Sequence, residues 1–195
     1  NVLEIVTPAG VRQFIVPTSG AKVKLSEQRD EWVAADRKAL DAILAYPGNR
    51  LVSVSVPEAK GAYVARCVTQ RKIKVDPATK ILAARDPFKS RHCVDDSHLA
   101  VQMARDGVAR DTEASSSVAD DMLVKLTLGD AALRQRYILK ADVPNAYPQG
   151  KRAGGRPVAY MAMPDAFADA RAPDGSRLCI ELGTPMWGQR EAGFE

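Results

Sequence analysis

Leu139-Lys140-Ala141-Asp142-Val143-Pro144-Asn145-Ala146-Tyr147 decides how the rest of this chain is read. A buried strand is predicted over Tyr137–Val143, and Pro144 ends it because proline brings no N–H to a ladder. The strand delivers one carboxylate near its C-terminal end, a position suited to a hard divalent cation. The Val143 carbonyl offers a second oxygen. The tight turn presents the Asn145 and Ala146 N–H groups to an anion, and Tyr147 stands as a flat wall beside whatever occupies the site. Taken alone the pattern is short, and a loop aspartate next to a core tyrosine is the simpler reading.

Upstream, Val11–Val16 reads as a strand between proline- and glycine-bearing turns within a segment, 1–25, of short strands and turns. Ser26 reads as an N-cap, with acidic residues in the turns that follow. Trp32, Ala35, Ala39, Leu40, Ile43 and Leu44 then recur at helical spacing until Pro47-Gly48. Val52, Val54 and Val56 alternate with serines, which predicts a half-buried strand ended by Pro57. Strands are expected over Tyr63–Val75 and Phe88–Val94, joined through turn chemistry at Asp76-Pro77-Ala78-Thr79. Residues 97–115 read as polar and irregular. A helix is expected over Val118–Leu128, interrupted at Thr127-Leu128-Gly129-Asp130 and resumed over Ala131–Arg136. Downstream, Val158–Met163 and Leu178–Leu182 read as strands, Gly150–Pro157 and Pro173–Ser176 as turns, and Trp187–Glu195 as the start of a helix.

Charge is concentrated in one place. The 195 residues carry 28 basic and 24 acidic side chains, a net +4. Between Arg66 and Arg91, however, Arg66, Arg71, Lys72, Lys74, Lys80, Arg85, Lys89 and Arg91 meet only Asp76 and Asp86. That block is the predicted β-hairpin, so its cations share a small surface. Hydrophobic residues make up 46% of the chain, which argues against wholesale disorder. No apolar run approaches the ~20 residues of a membrane helix, and Asn1-Val2-Leu3-Glu4 has neither the basic nor the apolar region of a signal peptide. Cys67, Cys93 and Cys179 are odd in number and widely spaced, which fits a reducing compartment. The absence of an initiator Met is expected of a processed chain or a piece of a longer one.

These blocks, in this order, resemble the reverse transcriptase of copia-type LTR retrotransposons from about Trp32 onward. Arg29-Asp30-Glu31-Trp32 with Ala35 and Leu40 is similar to the tryptophan-bearing helix that opens the domain. Arg71-Lys72-Ile73-Lys74 and Asp76-Pro77-Ala78-Thr79 resemble the fingers hairpin with its Lys-x-Lys pattern. Phe88-Lys89-Ser90-Arg91 resembles the aromatic-Lys-Ala-Arg block, and Asp142–Tyr147 the first catalytic motif. Val158-Ala159-Tyr160-Met161 with Pro164 and Phe167 is similar to the hairpin that follows. Leu178-Cys179 through Trp187-Gly188-Gln189 and Ala192 is similar to the family's Gly-Leu-Lys-Gln block.

The resemblance implies an α+β fold, with a fingers hairpin and a partial palm. It divides the chain into an N-terminal segment (1–25), fingers and connecting helices (26–136) and palm (137–195). It implies an RNA-directed DNA polymerase of a retrotransposon polyprotein, intracellular and cytoplasmic in virus-like particles with a nuclear stage. In that reading Asp142 and the Val143 carbonyl hold magnesium, two ions in the intact enzyme. Lys72 or Lys74, with Arg91, hold the incoming triphosphate, and Asn145, Ala146 and Gln189 line the nucleotide. Tyr147 gates against a ribose 2′-OH. The partners implied are an RNA or DNA template–primer, deoxynucleotide triphosphates and the remainder of the polyprotein, including the second palm motif, thumb and RNase H; no membrane is implied. Family members transfer the nucleotidyl group with two metals. Their Tyr-x-Asp-Asp motif would follow the helix near Trp187, so turnover is not expected of residues 1–195 alone.

Other patterns have plainer readings. Cys93-Val94-Asp95-Asp96 mimics the Asp-Asp motif but precedes Asp142, and Asp120-Asp121 reads as solvated charge. His92, His98 and the three cysteines lack zinc spacing and read as structural thiols and surface histidines. Gly154-Gly155 reads as a hairpin turn rather than a phosphate loop, and Ser115-Ser116-Ser117 as a helix cap. Two rival functions stand beside the polymerase. One is an inactive relic that binds nucleic acid at most through the Arg66–Arg91 hairpin. The other is a globular domain whose hairpin meets an acidic protein partner.

Overall fold

Several elements of the fold begin or end on a local signal in the sequence. A computed structural model of the chain describes residues 2–7, 9–83, 86–107, 121–138 and 158–186. Strands β1 (Val2–Thr7) and β2 (Gly10–Ile15) pair antiparallel, with Thr7 opposite Gly10. Gly10 takes φ +109°, a region that side chains avoid. Helix α1 (Gly20–Lys24) is capped by Ser19, whose Oγ accepts from the Lys22 N–H at 3.3 Å. This short helix falls in a segment expected to hold only strands and turns.

Helix α2 (Arg29–Leu44) begins three residues after Ser26. The Ser26 hydroxyl accepts from the Gln28 N–H, and Gln28 takes the N-cap position. Asp30 and Glu31 sit in the first turn, where the helix dipole favours negative charge. Trp32, Leu40 and Ile43 are buried, as their spacing predicts, but Asp36 is buried on the same stripe.

Strand β3 (Arg50–Ser53) stops before the Val-Ser alternation does, and Ser55–Ala59 forms helix α3. Pro57 therefore ends no strand. It lies in the first turn of a helix, where its missing N–H costs nothing. Strands β4 (Val64–Ile73) and β5 (Phe88–Asp95) form the expected antiparallel hairpin. Its far end carries the Asp76 turn, in which Asp76 Oδ1 accepts from the Ala78 and Thr79 N–H groups at 3.0 and 2.7 Å.

Helix α4 (Asp96–Arg105) replaces the irregular segment expected from residue 97. Asp95 caps it, accepting from the His98 N–H at 3.2 Å. Helix α5 (Asp121–Leu133) runs unbroken through Gly129, where an interruption was expected. Tyr137 and Ile138 are exposed and outside any strand, contrary to the buried strand expected from Tyr137. The rest of that stretch lies outside the described residues, as do the turn over 150–157 and the segment 187–195. Strands β6 (Ala159–Ala162) and β7 (Leu178–Leu182) form where expected, separated by a 3-10 turn, Asp165–Phe167.

The chain is α+β: a two-stranded hairpin, β1-β2, and a five-stranded mixed sheet in the order β3-β7-β6-β4-β5. All its pairs are antiparallel except β4 with β6. Strand β4 divides its length between neighbours. Val64 and Ala65 pair with Tyr160 and Met161 of β6, and Arg66–Ile73 pair with β5. The hairpin thus projects from the sheet on a strand rooted in it.

Two cores result. Leu40, Ile43, Ala65, Val94, Met161, Ile180, Leu182 and Met186 form one, under the sheet. Ile5, Val16, Val23, Trp32 and Ile73 form the other, between β1-β2 and the far end of the β4–β5 hairpin. There the Trp32 and Phe88 rings meet edge to face, 4.9 Å between centroids. Helix α2 contributes to both cores. Asn49 joins the end of α2 to β7: its Nδ2 donates to the Ile43 carbonyl at 2.9 Å, and its Oδ1 accepts from the Gly183 and Thr184 N–H groups at 2.8 and 3.2 Å. Among the described residues no helix is long and apolar enough to cross a membrane.

Candidate nucleic-acid interface

The register of the β4–β5 hairpin sorts its side chains into two faces. Arg71 pairs with Ser90 and Ile73 with Phe88, and these point inward with Thr69 and His92. Gln70 pairs with Arg91 and Lys72 with Lys89, and these four are exposed. Lys72 and Lys89 are therefore directly opposite one another. Like charges in that position destabilise a strand pair. The Gln70–Arg91 pair follows two residues along, about 6.6 Å away at the rise of a strand.

Lys74 lies one residue beyond the end of β4. Its N–H donates to the Pro87 carbonyl at 2.7 Å, which keeps the two chains together past the ladder. The Lys89 ammonium is pushed below its ordinary pKa by partial burial and then by the like charges of Arg91, Lys74 and Lys72. Four cations thus share one field. At the root of the same face Arg66 donates to the Asp95 carboxylate. Bonds from Ser97, the His98 N–H and Arg66 bring the Asp95 pKa down to about 2. Of the acidic pair that mimics a catalytic motif, Asp95 caps a helix and Asp96 is buried at its start.

The inner face holds a polar cluster between the two cores. The Arg71 guanidinium is fully buried between two carboxylates. Its Nε is 3.2 Å from Asp36 Oδ1, and its Nη2 is 2.7 Å from both Asp36 Oδ2 and Asp165 Oδ1. Burial pulls the Arg71 pKa down, but the bonds to Asp165 and Asp36 outweigh it and the net shift is upward. Asp165 also accepts from the Gly20 N–H. His92 Nε2 lies 3.0 Å from the Asp36 carbonyl oxygen, so that nitrogen carries the proton, and Nδ1 accepts from the Thr69 hydroxyl at 3.1 Å. Burial is the main cause of a lowered His92 pKa, which keeps the ring neutral.

Of the residues the sequence singled out, Lys72, Lys74 and Arg91 come together on this hairpin. Asp142, Val143, Asn145, Ala146, Tyr147 and Gln189 lie outside the described residues. Among the described residues no group of three or more His, Cys, Asp or Glu is placed to hold a metal ion. Cys67 and Cys93 face opposite sides of the sheet, since Cys67 pairs with Val94 and Cys93 with Val68.

The sequence reading missed two parts of this site. Lys89 was visible within the basic block, but only the register shows it opposite Lys72. Arg71 was counted among the surface cations, and the alternation of β4 turns it inward. Set against family models, curated proteins and solved structures, the chain has no match.

Proposed function

We propose that the outer face of the β4–β5 hairpin grips nucleic-acid phosphates, and that the chain is the fingers and partial palm of a copia-type reverse transcriptase. One observation carries the first half: Lys72 and Lys89 are placed directly opposite each other, with Lys74 and Arg91 in the same field. Directly opposed like charges are unfavourable, and an anion laid over Lys72 and Lys89 relieves that repulsion. A polyanion turns that repulsion into binding, and cations at a strand's two-residue spacing meet successive negative groups.

The second half rests on the resemblance of the ordered blocks. A basic hairpin, followed by the Tyr160-Met161 strand and its antiparallel partner, agrees with that reading. Within it, Asp142 and the Val143 carbonyl bind magnesium, Tyr147 gates the sugar, Asn145, Ala146 and Gln189 line the nucleotide, and Lys72, Lys74 and Arg91 hold triphosphate. The reaction is template-directed addition of deoxynucleotides to a primer, performed by the whole polyprotein. The protein would touch backbone more than bases, because pairing supplies the sequence information.

Amine footprinting tests the face. A primer–template duplex should protect Lys72, Lys74 and Lys89 from acetylation several-fold, and leave exposed Lys22 on α1 unchanged. Equal modification with and without duplex would remove the proposed interface. For the reaction, Asp142→Asn in the polyprotein should abolish primer extension.

A further inference from the structure

We propose that Arg71, held by Asp36 and Asp165, is a positioning clamp that keeps Lys72 and Lys89 opposed as a phosphate-gripping pair. The inference rests on the reading of the outer face as a polyanion site. Its physical basis is the alternation of a strand. Arg71 is the immediate neighbour of Lys72, so anchoring one fixes the direction of the other. A slip of one residue would turn Lys72 inward and Arg71 outward. The mutual repulsion of Lys72 and Lys89 favours such a slip, or a splaying of the two strands.

The clamp opposes both. Two carboxylates from different elements, Asp36 of α2 and Asp165 of the 3-10 turn, receive the planar guanidinium fork. Asp165 is fixed in turn by the Gly20 N–H at the start of α1. A Cβ added at Gly20 would lie 2.6 Å from the Asp165 carbonyl oxygen, so the two segments are already at closest approach. On β5, His92 reaches the Asp36 carbonyl and the Thr69 hydroxyl. Both strands of the hairpin are thereby tied to α2 from the inner face, opposite the cations. Fixing register is also the best-attested use of a buried ion pair. The Arg71 side chain is 0% exposed, so it acts on the outer face only through its neighbours in the strand.

The test measures duplex binding as a function of salt. The slope of log affinity against log salt counts the phosphates neutralised, about 0.9 for each. In Arg71→Met/Asp36→Leu/Asp165→Asn, apolar or neutral side chains replace all three charges of the cluster. This variant should fold with native circular dichroism, bind about ten-fold more weakly and lose about one unit of slope. Arg71→Lys keeps the charge without the fork and should fall between. A folded variant with wild-type slope and affinity overturns the clamp. Amide exchange supplies a readout that needs no ligand, and Asp165→Asn extends it to a variant in which Arg71 keeps Asp36. The Lys72 and Lys89 amides should exchange about ten-fold faster than in the wild type. If the wild type binds no duplex, the reading of the face fails, and unaltered exchange in these variants would separately overturn the clamp.

Discussion

Asp36 shows how one residue can carry two jobs. Its carboxylate receives Arg71 and its backbone carbonyl receives His92, so both strands of the hairpin are fixed at a single turn of α2. Asp36→Ala leaves the buried Arg71 with Asp165 as its remaining carboxylate, and the bonds lost at Asp36 should destabilise the protein by about 1–3 kcal/mol. Urea unfolding measures this, and no loss of stability would mean that Asp165 alone satisfies Arg71. The thiols make a second prediction at this scale. Burial pushes Cys67 up to about 12 and is the main cause of Cys179 standing at about 11. An unfolded thiol titrates at about 8.5. The unfolded chain therefore releases these protons first. The thiols' stabilising contribution is fully present below that pH and is lost as pH rises toward the folded values. At pH 10 the loss for Cys67 is about 2 kcal/mol. The urea midpoint should fall between pH 8 and pH 10, and Cys67→Ser should flatten that fall. An identical fall in the variant would remove the assignment.

At the scale of elements, helix α2 spans both cores, and Trp32 is its anchor in the smaller one. Trp32→Ala should cost about 3–5 kcal/mol and loosen β1-β2 before the sheet. Hydrogen exchange read element by element would show this, and uniform loosening would contradict the two-core arrangement. The spacing of Trp32, Leu40 and Ile43 made this helix legible in the sequence, because a periodic apolar stripe has one obvious use. Asp36 was not legible, since a carboxylate in a helix ordinarily faces water. The β4–β5 hairpin was legible from its flanking turn chemistry, but not which cations opposed each other, because register is settled by long-range pairing. Helix α4 hid behind polar residues, although Asp95 three residues before His98 was an N-cap signal. The Val-Ser alternation ran past the true end of β3, because a period-2 pattern over five residues also fits a strand followed by one helical turn.

At the scale of the molecule, the strand order places the basic hairpin at one edge of the sheet. Strand β4 is the common beam, with its root against β6 and its length against β5. The β4–β5 hairpin is packed from behind by α2 and the β1-β2 hairpin, and the proposed phosphate contacts would be made on its opposite face. The proposed interface lies wholly within the described hairpin, so duplex binding tests it without turnover. The measurement to make is the affinity of residues 1–195 for a primer–template duplex between 50 and 200 mM salt. Neutralisation by Lys72, Lys74, Lys89 and Arg91 predicts a slope of log affinity against log salt of about −3 to −4, falling to about −2 in Lys72→Gln/Lys89→Gln. A flat salt dependence, or a slope that the double substitution leaves unchanged, would contradict a nucleic-acid interface on this hairpin.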